Sequence, residues 1–159
     1  MMTEYIRTYG SFRLKSKVTR CDEYYCISIK VYPLEQEQEI GLIKCVYWNE
    51  DGCLLIEDMD THFGFRGKGS GLLRFRELMK ILDENKLQLG KVVAEEVGAF
   101  SRTLESKRKT ESFFQHLGFQ KCKEPDAWSS DWQAEGSVLR NNLDEILKEK
   151  NSPPAICGA

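Results

Sequence analysis

The stretch Ile56-Glu-Asp-Met-Asp-Thr-His-Phe-Gly-Phe-Arg-Gly-Lys-Gly-Ser-Gly71 gathers the residue types that chemistry needs. Its first half carries the carboxylates Glu57, Asp58 and Asp60. Its second half sets Arg66 and Lys68 among the glycines Gly67, Gly69 and Gly71. Glycines where a strand runs into a helix leave backbone N–H groups bare and let a ligand approach closely. Those amides, together with the helix dipole, favour an anion, most simply a phosphate. Three phosphate-binding schemes compete for the loop. A Walker A loop needs Gly-x-x-x-x-Gly-Lys-Ser/Thr, but Lys68 is followed by Gly69, and Ser70 comes one position late. A dinucleotide fingerprint needs glycine at its first, third and sixth positions, and from Gly67 the sixth is Leu72. A pyrophosphate loop of the form Arg-Gly-x-Gly-x-Gly/Ala fits Arg66-Gly67-Lys68-Gly69-Ser70-Gly71 without a mismatch.

The elements that must position this loop follow from the hydrophobic period. Phe12 to Val18 and Tyr25 to Tyr32 alternate apolar and polar residues, as half-buried strands do. Glu35 to Glu39 reads as a solvated turn, Ile40 to Trp48 as a third strand, and Asn49-Glu-Asp-Gly52 as a hairpin turn. Cys53 to Met59 is the fourth strand. Connections this short predict an antiparallel meander. From Ser70 to Leu82 the period becomes helical, with Leu72, Leu73, Phe75, Leu78, Met79, Ile81 and Leu82 as the apolar stripe. Arg74, Arg76, Glu77 and Lys80 are expected on the helix surface. Lys91 to Val97 reads as a strand, Leu104 to Leu117 as a helix closed by Gly118, and Phe119 to Cys122 as extended. Lys123 to Asp131 reads as a loop, Gln133 to Arg140 as a last strand and Asp144 to Lys150 as a short helix. The order β-β-β-β-α-β-α-β-β, with one parallel strand–helix–strand in the middle, is an α+β (mixed α/β) fold. One domain is expected over 1–150, with a flexible tail over 151–159.

Two motifs in this order resemble the GNAT N-acetyltransferase superfamily. Its members often read Ile-Glu-Asp-Leu-x-Val-x-Pro-x-Tyr-Arg-Gly-x-Gly-x-Gly. Ile56 to Gly71 keeps the Ile, Glu and Asp, a Leu-like Met59, an aromatic before Arg66 and every glycine. The second marker is an aromatic pair followed three residues later by Gly-Phe, and Phe113-Phe114-Gln-His-Leu-Gly118-Phe119 matches it. The resemblance spans roughly Cys53 to Phe119 and implies a GNAT-like acyl-CoA N-acyltransferase fold, with acetyl-CoA as cosubstrate and no metal. The amides of Arg66, Gly67, Lys68, Gly69, Ser70 and Gly71 are expected on the pyrophosphate. The main chain of Met59, Asp60 and Thr61 is expected to pair with the pantetheine arm. A lysine-like amine, with a pKa of ~10.4, must lose a proton before it attacks, and Glu57 is the expected base. Period-2 alternation puts Glu57 on one strand face with Leu55, Met59 and Thr61. Asp58 and Asp60 fall on the other unless the strand bulges there. They would then line the acceptor mouth.

Several positions depart from the family pattern. Phe114 replaces the common tyrosine whose hydroxyl protonates the departing thiolate, so water or another residue must serve. Lys107 stands for the usual asparagine and Thr110 for the usual alanine. Phe63 replaces the common proline and Thr61 the common valine. The family's helical pair between its first two strands has no room, and a less covered cleft points towards a protein or peptide acceptor. Lys107-Arg108-Lys109, with Arg102, reads as a solvated helix face or a contact for the CoA 3′-phosphate. Trp128 and Trp132 read as plugs of a sheet end or walls of the acceptor site.

Composition bounds the partners. The 159 residues hold 23 basic and 25 acidic side chains, for a net charge of −2. That balance excludes a general binder of nucleic acid or anionic membrane, which needs a concentrated positive field. Eight Phe, six Tyr and three Trp argue for an ordered core. No secretory h-region or membrane span is evident, so a cytoplasmic location is expected. Cys21, Cys26, Cys45, Cys53, Cys122 and Cys157 show no Cys-x-x-Cys spacing and are expected to stay reduced. Cys26 and Cys45 read as small strand hydrophobes and Cys157 as a candidate exposed thiol. His62 and His116 are too few for a metal centre. The acceptor stays open between an amine-bearing small molecule and a protein or peptide, and a homodimer is compatible with the sequence. The alternative function is a non-catalytic acyl-CoA-binding or protein-interaction module on the same fold.

Overall fold

In the computed structural model, residues 1–65, 69–95, 103–122 and 131–151 are described, apart from the side chains of 63, 150 and 151. The alternating first half builds five strands: β1 (Met2–Tyr9), β2 (Phe12–Arg20), β3 (Tyr24–Pro33), β4 (Gly41–Trp48) and β5 (Cys53–Thr61). A single 3-10 turn, Phe63–Phe65, follows. Then come α1 (Ser70–Glu84), β6 (Lys91–Ala94), α2 (Leu104–His116), β7 (Gln120–Lys121), β8 (Trp132–Glu135) and α3 (Gly136–Asn151). The strands form one sheet in the order β1-β2-β3-β4-β5-β6-β8-β7. Among the described strands only β5 and β6 pair in parallel, across the α1 crossover. The α+β architecture with a central strand–helix–strand is therefore the one its sequence pattern implies, and β1 to β5 form the meander.

Two elements differ from expectation. β1 is an additional edge strand, joined to β2 by the two-residue turn Gly10-Ser11. Most of it is exposed, so its apolar period is weak, although Gly-Ser between two β-rich runs is itself a hairpin signal. The last expected strand, Gln133 to Arg140, ends at Glu135, and helix starts at Gly136. Leu139 and Leu143 are buried four residues apart, with Ile146 and Leu147 packed behind them, and that spacing is helical.

One face of the sheet is the core. Leu14, Val18, Ile27, Ile29, Val31, Ile43, Leu54 and Ile56 alternate inward and meet Phe75, Leu78, Ile81 and Leu82 of α1. The other two helices lie on this face too: Phe114 of α2 packs on Phe75, and Arg140 of α3 pairs with Asp83 of α1 at 2.9 Å. Cys45 is buried there as a small hydrophobe, whereas Cys26 points the other way and is exposed. The opposite face carries Arg13, Lys15, Lys17, Ser28, Lys30, Lys44 and Val46, and no described helix covers it. Glu77, expected on the surface of α1, is wholly buried. It accepts from Arg7 Nε at 2.8 Å and from Tyr9 Oη at 2.6 Å, which ties β1 to the helix.

Candidate active site

β5 is longer than its parallel neighbour. It pairs with β4 up to Thr61, but with β6 only from Cys53 to Ile56, and the last bond on that side runs from Glu95 N to Ile56 O at 3.1 Å. From Glu57 to Asp60 one edge of the strand has no described partner strand. His62 N–H bonds Ile40 O, and Asp60 C=O turns inward to Arg74. By alternation, the main-chain groups of Met59 face this edge. An unpaired edge inside a sheet is a slot for an extended ligand with amide groups.

A bulge decides where the carboxylates go. Lys44 pairs with Asp58 and Cys45 with Ile56, so Glu57 is an extra residue without a partner. Ile56 is buried before the bulge and Met59 after it, which corrects the simple alternation: Met59 and Thr61 lie on the core face, away from Glu57. Glu57 stays with Leu55 on the uncovered face, and Asp58 and Asp60 join it there. All three carboxylates therefore stand on one face, at the open end of the sheet. The neighbouring thiols register Glu57. Burial pushes the Cys45 thiol up and Glu57 adds to it, while Cys26 is raised by desolvation, then by Cys21 and Glu57.

The first turn of α1 closes the other side. Gly69 is its N-cap with φ +85°, a left-handed conformation that favours glycine, and no side chain caps the helix. The first intrahelical bond is Leu73 N to Gly69 O at 3.4 Å. The N–H groups of Ser70, Gly71 and Leu72 therefore have no acceptor inside the helix. Gly71 has a packing task as well. A Cβ there would lie 3.1 Å from Phe113 Cζ and 3.6 Å from Met59 Cε, so this glycine lets α2 approach α1 and β5. Arg66, Gly67 and Lys68 lie outside the described residues, as do Arg102, Trp128, Cys157 and the tail from 152 onward.

Arg74 joins the two sides, and its charge on a helix face had read as surface. It is 1 % exposed. Its Nη1 donates to Leu42 O at 2.8 Å and Asp60 O at 2.6 Å, its Nη2 to Thr61 Oγ1, and its Nε to Ser70 O at 3.4 Å. One guanidinium thus holds the ends of β4 and β5 against the start of α1. Burial lowers its pKa to about 10, opposed by the Asp60 charge, so it remains cationic at neutral pH. A sequence signal existed: Arg74 and Glu77 each sit four residues before an apolar residue of the buried stripe, Leu78 and Ile81.

The second motif is a helix end. Gly118, φ +94°, donates to Gln115 O, and Phe119 donates to Phe114 O, both at 3.0 Å, which together make a Schellman cap. Phe114 is fully buried, 5.1 Å from the Phe119 ring and 6.3 Å from Phe75. Its role here is packing. Trp132 is buried in the core at the sheet end. Lys107, Arg108 and Lys109 lie in the first turns of α2, with Lys109 paired to Glu105 at 3.3 Å. Among the described residues no group of three metal-ligating side chains occurs, and no helix is long and apolar enough to cross a membrane.

A mostly antiparallel sheet with one parallel strand–helix–strand, and helices on one face, defines an α+β fold. Comparison with known proteins gives that class its relatives. No family model and no curated protein matches the sequence. Among solved structures, a GNAT-family acetyltransferase from Staphylococcus aureus Mu50 superposes with a TM-score of 0.52 at 12 % identity. The match covers 69 % of this chain and 67 % of that one. An acetyltransferase from Streptococcus agalactiae matches at TM-score 0.47 and 19 % identity, over 68 % of this chain and 66 % of its own. The GNAT-family N-acetyltransferase YhbS of Escherichia coli, solved in complex with CoA, matches at TM-score 0.46 and 15 % identity, over 74 % and 62 %. The chain thus spans about two thirds of the length of these structures. It has the fold of the GNAT acetyltransferases, as its two motifs imply.

Proposed function

We propose that the protein is an acetyl-CoA-dependent N-acyltransferase acting on a primary amine. The observation that carries this reading is the Glu57–Asp60 edge, which no described strand pairs, set beside the N-terminus of α1, which no side chain caps. The slot offers main-chain amides to an extended, amide-bearing arm. The amides of Gly69, Ser70 and Gly71 offer donors and a helix dipole to a pyrophosphate. The bulge leaves the Glu57 carboxylate exposed beside the slot, where it can take a proton from an incoming ammonium directly or through one water. The reaction balances simply: the amine nitrogen bonds the thioester carbonyl carbon, the carbon–sulfur bond breaks, and the amine's proton leaves by way of Glu57. The thiolate takes its proton from solvent, since Phe114 has none to give.

That last point supports the second reading, an acyl-CoA-binding module without turnover on the same fold. One experiment separates the two: thiol release from acetyl-CoA followed with a panel of amines, beside calorimetric CoA binding. The enzyme reading expects steady release, reduced about a hundredfold or more in Glu57→Gln, the usual weight of a general base. Tight CoA binding with no release on any amine establishes the module instead. Absence of both rejects the acyl-CoA site.

A further inference from the structure

The uncovered sheet face has a charge order that the proposed reaction leaves unused. Register places Asp58 beside Lys44, Lys44 beside Ser28, and Ser28 beside Lys17. The next row runs Asp60, Leu42, Lys30, Lys15. With Arg13, five cations occupy β2 to β4, while β5 presents Glu57, Asp58 and Asp60. The face is therefore polarised, acid at the slot and base beyond it. The carboxylates that approach the cations are peripheral: Glu4 lies 3.9 Å from Lys17, Glu39 3.5 Å from Lys30 and Glu37 4.0 Å from Arg13. Pairs this exposed and this long bind weakly and yield readily to a competing anion. Lys44 and Lys15 make no ion pair among the described residues, and Lys15 instead lies 5.2 Å from the Tyr32 ring, which Arg13 also covers.

We infer that this face docks the acceptor as an acidic peptide, its amine at the β5 carboxylates and its acidic side chains across Lys44, Lys30 and Lys15. The inference rests on the acyltransferase reading and names its substrate class. Charge complementarity selects the occupant: an ammonium suits Glu57 to Asp60, and a chain that continues in acid suits the next three strands. Strand spacing of ~4.8 Å puts β4, β3 and β2 roughly 5, 10 and 14 Å from β5. An extended peptide advances ~3.4 Å per residue, so the matching carboxylates fall about two, three and four residues from the amine. A basic peptide is repelled by these five cations, and a neutral one gains nothing from them.

The test compares peptides of one length with Asp or Glu, Asn or Gln, or Lys at the second to fourth residues from the reacting amine. One set bears a free N-terminus, and another a single lysine with the terminus blocked. Turnover is read as kcat/KM, and docking to the CoA-loaded protein as fluorescence anisotropy. We expect the acidic set to exceed the neutral set by tenfold or more, mainly in KM, with the advantage shrinking as salt rises. In Lys30→Glu/Lys44→Glu, checked for an unchanged circular dichroism spectrum, the preference should invert towards the Lys-containing set. Equal KM and equal anisotropy across the sets, or an unchanged preference in the double variant, overturns the inference while leaving the transferase intact. No thiol release with any peptide or amine rejects the transferase reading, and anisotropy alone then decides whether the face binds acid.

Discussion

Arg74 shows how much one side chain can decide. It replaces an apolar residue on the buried stripe of α1 and answers four polar atoms that the ends of β4, β5 and α1 turn inward. Its partners are carbonyls and a hydroxyl, so removing it leaves acceptors dry rather than freeing an ion pair. Arg74→Met should therefore destabilise the fold by about 2–4 kcal/mol in urea unfolding, the cost of two or more orphaned acceptors. Arg74→Lys, with one compact donor head, should recover part of that loss. Helical spacing placed Arg74 on the apolar stripe, but its charge made it read as solvent-facing. Only the three-dimensional meeting of strand ends explains it. Glu57 is a similar case. Its type and neighbours were legible, but its face depended on a bulge that alternation cannot see, because one extra residue inverts every position after it.

At the scale of elements, sequence was most informative where an apolar period was long. β2 to β5, α1, and the capped end of α2 follow directly from alternation, helical spacing and Gly118. β1 was hidden because an edge strand buries too little to need a pattern, and the start of α3 because its stripe begins only at Leu139. β1 is held by the contact of Arg7 and Tyr9 with buried Glu77, and by Arg7 with Glu84 at 2.6 Å. Burial raises the Tyr9 phenol above its ordinary value, and the hydrogen bond and charge of Glu77 raise it further. A phenol raised on folding stabilises fully below its unfolded value of ~10, and that share is lost as pH rises through the higher folded value. Stability should fall between pH 9 and beyond ~10 in the native protein, measured by urea titration at stepped pH. Tyr9→Phe should be less stable at pH 7, where the bond is lost, and show a flatter alkaline limb. An equally steep limb in the variant would assign the alkaline loss to other groups.

The whole molecule joins a rigid, one-sided core to an open end. The three described helices pack on one face, so the sheet is anchored there, and both the first-turn amides of α1 and the carboxylates collect where β5 extends past the described part of β6. A net charge of −2 concealed this arrangement, because acid and base are sorted along the sheet rather than mixed. A ligand seated in the slot would bridge β5 and α1 and bind only the folded chain. Its effect on stability follows from mass action, about 2.7 kcal/mol at a hundred times the dissociation constant. For a domain of this size that corresponds to a rise of roughly 5–10 °C in Tm. We expect acetyl-CoA and CoA to produce it in a thermal scan and ATP to leave Tm unchanged, because the loop spacing does not fit a P-loop. Gly69→Val separates this site from unspecific binding. A β-branched residue at φ +85° strains the cap and places methyl groups among the amides of the first turn. CoA affinity should then weaken tenfold or more, about 1.4 kcal/mol, and the thermal shift should shrink at fixed CoA. A shift of undiminished size in Gly69→Val would place CoA away from the start of α1, and would leave the unpaired β5 edge without its assigned ligand.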